Sequence, residues 1–308
     1  MASASVLEIG AHCPLCHRAA DLPSLRFREV HSDQPLAAGR RFACTSERAG
    51  SHGAIYWCRE CQVGYSPAPD RDWLLAQYAT VEDAQYFDEE EHRLRNATDL
   101  LKVIERRIPP GTLLEIGSAA GTFLSAAVGR GWKARGIETS AWAVSAGRSR
   151  YGVELEVGTV ETSEQPLEGA DCVVMADVLE HLVDPQAALQ RCRDWLVPGG
   201  ILAVTTVNMT TPMAHLLGTR WPGYMDMHLT YFSPAALRAM LARAGLESLS
   251  MRGAPRRLSV GYIGGRLRGS GRMADAAALV AQCPGLRRLQ VSLRTRDLLL
   301  VIGRRPLA

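Results

Sequence analysis

Apolar positions along the chain follow two periods, and the switches between them mark its organisation. From Thr112 onward, short apolar runs alternate with segments whose apolar residues recur at helical spacing, the signature of a parallel sheet with crossover helices. The runs predict strands over 112–117, 133–138, 153–157, 171–176 and 200–207, with 246–252 and 297–303 closing the sheet. Helices are expected over about 121–130, 140–150, 184–195 and 233–244, and Leu196-Val197-Pro198-Gly199-Gly200 reads as a turn into the fifth strand. Residues 253–290 break the alternation and read as a helical insertion between the last two strands. Upstream, residues 71–107 read as two helices, the second running from about Asp83 to Arg107 and ended by Pro109-Pro110-Gly111. Residues 1–66 show little helical periodicity, and Ser66-Pro67-Ala68-Pro69-Asp70 separates them from the first of these helices. Three regions result: a small module over 1–66, a helical linker over 67–110 and an α/β domain over 111–308.

Composition changes this picture little. An apolar fraction of 47% and a charged fraction of 22% are ordinary for a soluble globular protein, so disorder is not the default reading. No stretch approaches the roughly 18 to 20 apolar residues of a membrane span. The first residues lack a basic start followed by a long apolar run, so a cytoplasmic location is expected. Charge adds more. From Arg252 to the end the chain carries +10, against −7 over the first 251 residues. That asymmetry fits a surface for an anionic partner, a phosphate, a lipid headgroup in peripheral membrane contact or nucleic acid; the plainer reading, which is preferred, is a solvated helical face.

The cysteines suggest a metal. Cys13, Cys16, Cys58 and Cys61 form two Cys-x-x-Cys pairs separated by 41 residues. Such pairs can converge on one tetrahedral zinc, a closed and therefore structural site. Cys44, His12, His17 and His52 are alternative ligands. Cys172, Cys192 and Cys283 are scattered singly.

The sharpest chemistry lies where the first sheet strand ends. Glu115-Ile116-Gly117-Ser118-Ala119-Ala120-Gly121 runs from the strand into a helix. Small residues let a ligand approach the backbone, and a helix N-terminus offers unpaired N–H groups. A dinucleotide fingerprint would need glycine at 119 and 122, where the chain has Ala119 and Thr122. Instead an acid precedes the loop, and a second, Glu138, ends the next strand, placed to accept both ribose hydroxyls of a nucleoside.

This arrangement resembles the first motif of class I S-adenosylmethionine-dependent methyltransferases, an acid followed by alternating glycines. Ala119 departs from it at the middle glycine; unless a positive φ is required there, weaker clearance rather than lost binding is expected. The resemblance extends over roughly 80–305. Asp171–Leu182 contains the -VLEHL- form, Leu196–Thr206 matches the following turn and strand, and His228-Leu229-Thr230-Tyr231-Phe232-Ser233 matches an HLxYFS signature, with Trp221 upstream. These features resemble a bacterial subgroup related to ubiquinone and sugar or natural-product O-methyltransferases. The resemblance implies a Rossmann-like seven-stranded sheet with helices on both faces. It implies cofactor contacts from Glu115, Gly117, Ala119, Gly121 and Glu138, with Val160 and Glu161 beside the adenine. Tyr86 and Arg93, on the linker that would form a lid, are implied at the methionine carboxylate, and Asp177 as a pocket wall. Cys13-Pro14-Leu15-Cys16 and Tyr56–Pro67 are similar to bacterial methyltransferases with an N-terminal zinc ribbon, although Gln62 stands at the usual glycine.

Methyl transfer to a hydroxyl needs a group to remove a proton, and histidine suits it. His228, in the loop after the fifth strand, is the leading candidate, with His181 second. Glu180 beside His181 is also of the kind that can hold a divalent metal. The Asn/Asp-Pro-Pro-Tyr/Phe tetrad of amino-methylating nucleic acid enzymes is absent, which argues against adenine or cytosine as acceptor. The favoured reading is O-methylation of a small-molecule, glycan or lipid-linked acceptor in a biosynthetic pathway. An RNA methyltransferase gripping RNA through the cysteine module and a non-catalytic cofactor-binding scaffold are the alternatives.

Overall fold

The chain enters through three short strands, β1 (Leu25–Phe27), β2 (Ile55–Cys58) and β3 (Val63–Tyr65). Helices α1 (Arg71–Ala79) and α2 (Glu90–Glu105) come next, with a 3-10 turn over Tyr86–Glu89 between them. The computed structural model describes residues 12–19, 25–30, 42–43, 52–164, 169–254, 256–267, 272–287, 289–293 and 296–307.

The alternating half then runs as expected: β4 (Thr112–Ile116), α3 (Thr122–Val128), β5 (Lys133–Glu138), α4 (Ala141–Tyr151), β6 (Glu154–Val157), β7 (Ala170–Ala176), α5 (Pro185–Trp195) and β8 (Leu196–Val207). After β8 come α6 (Pro212–Leu217), β9 (Thr230–Tyr231), α7 (Pro234–Arg243) and β10 (Glu247–Gly253). The end of the chain holds β11 (Arg256–Ser259), α8 (Val260–Leu267), α9 (Arg272–Ala281), β12 (Gln290–Leu293) and β13 (Leu298–Arg304). Seven strands form one sheet in the order β10-β13-β8-β7-β4-β5-β6, with β13 antiparallel to both neighbours.

Period-two alternation puts the two faces of this sheet into two cores. Leu114, Ile116, Val173, Met175, Leu202 and Val204 pack on one side, and Leu113, Cys172, Val174, Ile201 and Ala203 on the other. Sheets buried on both faces need helices on both, which the crossovers supply. Their starts are written locally: Asp184, Thr211 and Ser233 each cap a helix N-terminus with a side-chain oxygen and are followed by proline at the first turn.

Two expectations need adjustment, and a third feature was not anticipated. Leu196–Gly200 is not a turn before β8 but its first residues, bulged so that Ala170 pairs with Leu196 and Cys172 with Ile201. Gly199, at φ +81, takes up the irregularity. The insertion is helical only in its middle: β11 and β12 pair antiparallel at its base. Finally, the cysteine region is not free-standing. Its sheet runs β1-β2-β3-β9, so a strand from beyond β8 completes it, and Cys13, Cys58, Cys61, Val63 and Tyr65 share one core with Leu114, Met175 and Phe232.

Candidate functional site

At the carboxyl ends of β4 and β5 the loop is built by backbone geometry. Gly117 and Gly121 sit at φ +70 and +74, and a Cβ on Gly117 would lie 2.5 Å from Val178 Cγ2. Ala119 also has positive φ, +46. The expectation that alanine costs only clearance is therefore corrected: the middle position demands a left-handed backbone, and alanine meets it under strain. Glu138 braces the loop, its carboxylate accepting from Ala119 N–H at 2.8 Å and Ser140 N–H at 3.0 Å. Glu115 is buried, and its Oε2 has no hydrogen-bond partner. Burial pushes its carboxyl up to about 8, with Glu138 adding to the effect.

The loop opens on a cavity of about 820 Å³. Tyr86, Arg93, Glu115, Gly117, Ala119, Glu138, Val160, Glu161, Asp177, His181 and His228 all line it; Gly121 does not, and instead lies against Val153 and Leu155 at the start of α3. Arg93 stacks over the Tyr86 ring at 4.1 Å. Asp177, at φ +58, accepts from the Thr205 hydroxyl at 2.8 Å and lies 3.7 Å from Arg256 Nη2.

The two histidines meet on the far side of the cavity, with ring centroids 4.8 Å apart. His228 Nδ1 lies 2.9 Å from the Gly223 carbonyl, and His181 Nδ1 lies 3.0 Å from the Met227 carbonyl. A carbonyl only accepts, so both Nδ1 atoms carry the proton and Nε2 is the basic nitrogen. Burial lowers the His181 pKa, keeping that ring neutral. Beside them Glu180 is buried, accepts from the Thr206 hydroxyl at 2.8 Å, and is pushed up to about 8 by burial and then by Asp177. Ligating atoms of Glu180, His181 and His228 lie within 4.8 Å of one another.

The other such cluster among the described residues is Cys13, Cys16, Cys58 and Cys61, whose sulfurs lie within 4.8 Å of one another. No histidine joins it, and Cys44 lies outside the described residues. The two knuckles share a turn: His17 and Gln62, each following the second cysteine, have φ +58 and +53. Burial pushes the Cys61 thiol up to about 12. Cys16 is held below the ordinary thiol range although burial works against this, through a backbone hydrogen bond from Arg18 and the neighbouring thiols.

Sequence reasoning missed Tyr78, whose hydroxyl lies 3.0 Å from His181 Nδ1, and the pairing of Arg256, an arginine of the insertion, with the Asp177 carboxylate. Neither belongs to a motif, and each meets its partner across a long separation in the chain.

A seven-stranded sheet with one antiparallel strand, a glycine loop after its first strand in sequence and an acid ending the second are the arrangement of the class I methyltransferase fold. Residues 87–251 match the methyltransferase domain family, and the chain belongs to it. It is similar to the ubiquinone biosynthesis O-methyltransferase of Xylella fastidiosa, 28% identical over 163 residues covering 48% of this chain and 66% of that protein. It also resembles the protein so named from Caulobacter vibrioides, 33% identical over 156 residues covering 46% of this chain and 60% of that one. The matches thus span less than two thirds of these relatives. Among solved structures, the complex of the Haloferax volcanii Trm112 methyltransferase activator and methyltransferase aligns with TM-score 0.52 at 17% identity, covering 77% of this chain and 100% of that one. It shares the fold.

Proposed function

We propose that the chain methylates a hydroxyl on a small-molecule, glycan or lipid-linked acceptor in a biosynthetic pathway. The observation that carries this reading is the histidine pair, locked by backbone carbonyls with Nε2 as the basic nitrogen, in the cavity that also holds the glycine loop. The relatives named as ubiquinone biosynthesis O-methyltransferases support an oxygen acceptor.

The residues present fit S-adenosylmethionine: a loop with three left-handed positions, a site where a Cβ would intrude, and a buried carboxylate oxygen without a partner. In this reading Glu138 takes the ribose hydroxyls, Val160 and Glu161 flank the adenine, and Tyr86 with Arg93 takes the methionine carboxylate. Glu115 and the loop from Gly117 to Ala119 hold the remaining amino-acid end, Gly121 turns that loop into α3 from behind, and Asp177 walls the pocket. When bound, the cofactor supplies an electrophilic methyl group. His228 Nε2 removes the acceptor proton, and its Gly223 contact fixes the ring for that role. His181, held by Tyr78 and Met227, orients the acceptor. Cys13, Cys16, Cys58 and Cys61 hold a structural zinc as thiolates.

The test is product analysis with S-adenosylmethionine across phenolic, glycosyl and lipid-linked hydroxyl acceptors, for wild type and His228→Ala. An O-methyl product is expected, with kcat falling roughly 10²- to 10³-fold in the variant and cofactor affinity unchanged. Methylation on nitrogen or carbon, or undiminished kcat in His228→Ala, would overturn the reading. Convergence of Glu180, His181 and His228 favours one second reading, a divalent cation that binds the acceptor. Turnover abolished by chelation and restored by manganese would select it over His228 as base.

A further inference from the structure

Helix α1 lies upstream of the residues that match the methyltransferase family, which begin at 87, yet it turns one whole face to the cavity. Arg71, Leu74, Leu75 and Tyr78 all line it. Their i, i+3, i+4 and i+7 spacing puts them on one side of the helix. The opposite side, with Asp72, Trp73, Ala76 and Ala79, is exposed. Asp70 fixes the helix start, its side chain accepting from Trp73 N–H at 2.9 Å.

This helix is tied to both halves of the site. On the cofactor side, Arg71 Nη2 lies 3.7 Å from Glu161 Oε1, a part-exposed pair that is weak by itself. A stronger tie lies just past the helix, where Val81 O accepts from the buried Ser140 hydroxyl at 2.7 Å. Ser140 N–H donates in turn to the Glu138 carboxylate, which also accepts from Ala119 N–H in the glycine loop. On the acceptor side, Leu74 shares one apolar cluster with Met227 and Leu229, which flank His228 in sequence. There the Tyr78 hydroxyl lies 3.0 Å from His181 Nδ1.

The same Nδ1 lies 3.0 Å from Met227 O. A carbonyl cannot donate, so the nitrogen carries the proton and the Tyr78 oxygen accepts it alongside the carbonyl. Met227 alone settles the tautomer; the second acceptor fixes the plane of the ring. Tyr78 is itself wedged edge-on between Phe42, at 5.0 Å between centroids, and His181, at 6.1 Å. His181 then meets the His228 ring edge-on at 4.8 Å. We propose that Tyr78 is a positioning residue for the histidine pair, and that α1 carries cofactor occupancy at Glu138 and Glu161 to the His181 ring. The proposal rests on the reading of this cavity as a joint cofactor and acceptor site. Cofactor held at those two acids steadies α1 through Arg71 and Ser140, so Tyr78 and the ring are ordered before an acceptor arrives.

The experiment is nitrogen-15 NMR of the full chain with labelled histidine, with and without S-adenosylhomocysteine, following the His181 Nδ1–H and its exchange with solvent. His181→Gln identifies the resonance. In wild type the Nδ1–H tautomer is expected, and S-adenosylhomocysteine should slow the exchange roughly tenfold or more. In Tyr78→Phe the tautomer should persist through Met227, while the slowing should fall below roughly threefold. Phenylalanine keeps the packing against Phe42, so a Tyr78 that only packs would leave the slowing intact. Calorimetry should find the variant's Kd for S-adenosylhomocysteine within roughly threefold of wild type. A bare Nδ1, no slowing in wild type, or equal slowing in Tyr78→Phe overturns the proposal. Lost cofactor binding in Tyr78→Phe also overturns it, by making Tyr78 part of the cofactor site. The readout needs no methyl acceptor. It can fail while O-methylation stands, and a product methylated on nitrogen or carbon leaves it untouched; a wild type that does not bind S-adenosylhomocysteine overturns both.

Discussion

Glu115 occupies the end of β4 with one carboxylate oxygen buried and unpartnered, and burial raises its pKa to about 8. Near neutral pH the ligand-free protein therefore keeps it protonated. For a raised carboxyl, the stabilisation is full below the ordinary carboxylate pKa and is lost as pH rises through about 8. A cationic amino group brought to it favours the ionised form. Cofactor binding near neutral pH should thus release a proton, and affinity should climb with pH until about 8. Calorimetry in buffers of different ionisation enthalpy measures this; zero proton release would show that Glu115 does not meet the cation. Ala119 gives a second prediction. A left-handed alanine costs about 1–2 kcal/mol, while glycine adds about 0.4–1 kcal/mol of unfolded-chain entropy. Strain is the larger effect, so Ala119→Gly should stabilise the protein by up to about 1 kcal/mol. Thermal denaturation checks the sign, and a lower Tm would mean the strain is relieved elsewhere.

At the scale of elements, the second cysteine knuckle is coupled to the loop that carries His228. Cys58 ends β2, Cys61 and Gln62 form the turn, and β3 begins one residue later and pairs with β9 through Gly64–Tyr231 and Tyr65–Thr230. Strand β9 starts two residues after His228. The approach is close enough that a Cβ on Gly64 would collide with the Met209 sulfur. A metal on the cysteines would therefore fix the acceptor-side loop, while the glycine loop, on the other side of the sheet order, keeps its own braces. Cys58→Ser with Cys61→Ser should lower zinc content and Tm, and reduce kcat/KM for the acceptor at least roughly tenfold while cofactor Kd changes under roughly threefold. Equal losses on both ligands would make the module a general staple and remove the coupling.

At the scale of the whole molecule, the sheet was legible in the sequence because its strands are buried on both faces and bounded by glycine, proline and helix caps. The cofactor loop was legible because its chemistry is local, from Glu115 to Gly121. What was not legible was contact across distance: Tyr78 on His181, β9 completing the cysteine sheet, and the insertion lying on α2. That last contact has a consequence for binding. The Asn96 amide pairs with the Arg257 backbone twice, accepting its N–H at 2.9 Å and donating to its carbonyl at 3.1 Å. Arg257 Nε also reaches Asp99 at 2.9 Å, and the Ser259 hydroxyl reaches Glu89 at 3.1 Å. These bonds press the insertion onto the helix that carries Arg93, next to the turn that carries Tyr86. The half-exposed ion pair is worth at most about 1 kcal/mol, whereas losing Asn96 strands two backbone groups at about 1–3 kcal/mol each. Asn96→Ala should therefore weaken cofactor binding by roughly tenfold or more, and Asp99→Asn by far less. Calorimetric titration of both variants with S-adenosylmethionine makes the comparison. Equal affinities in the two would mean that the insertion serves the acceptor alone, and that the wall formed by Tyr86 and Arg93 stands without it.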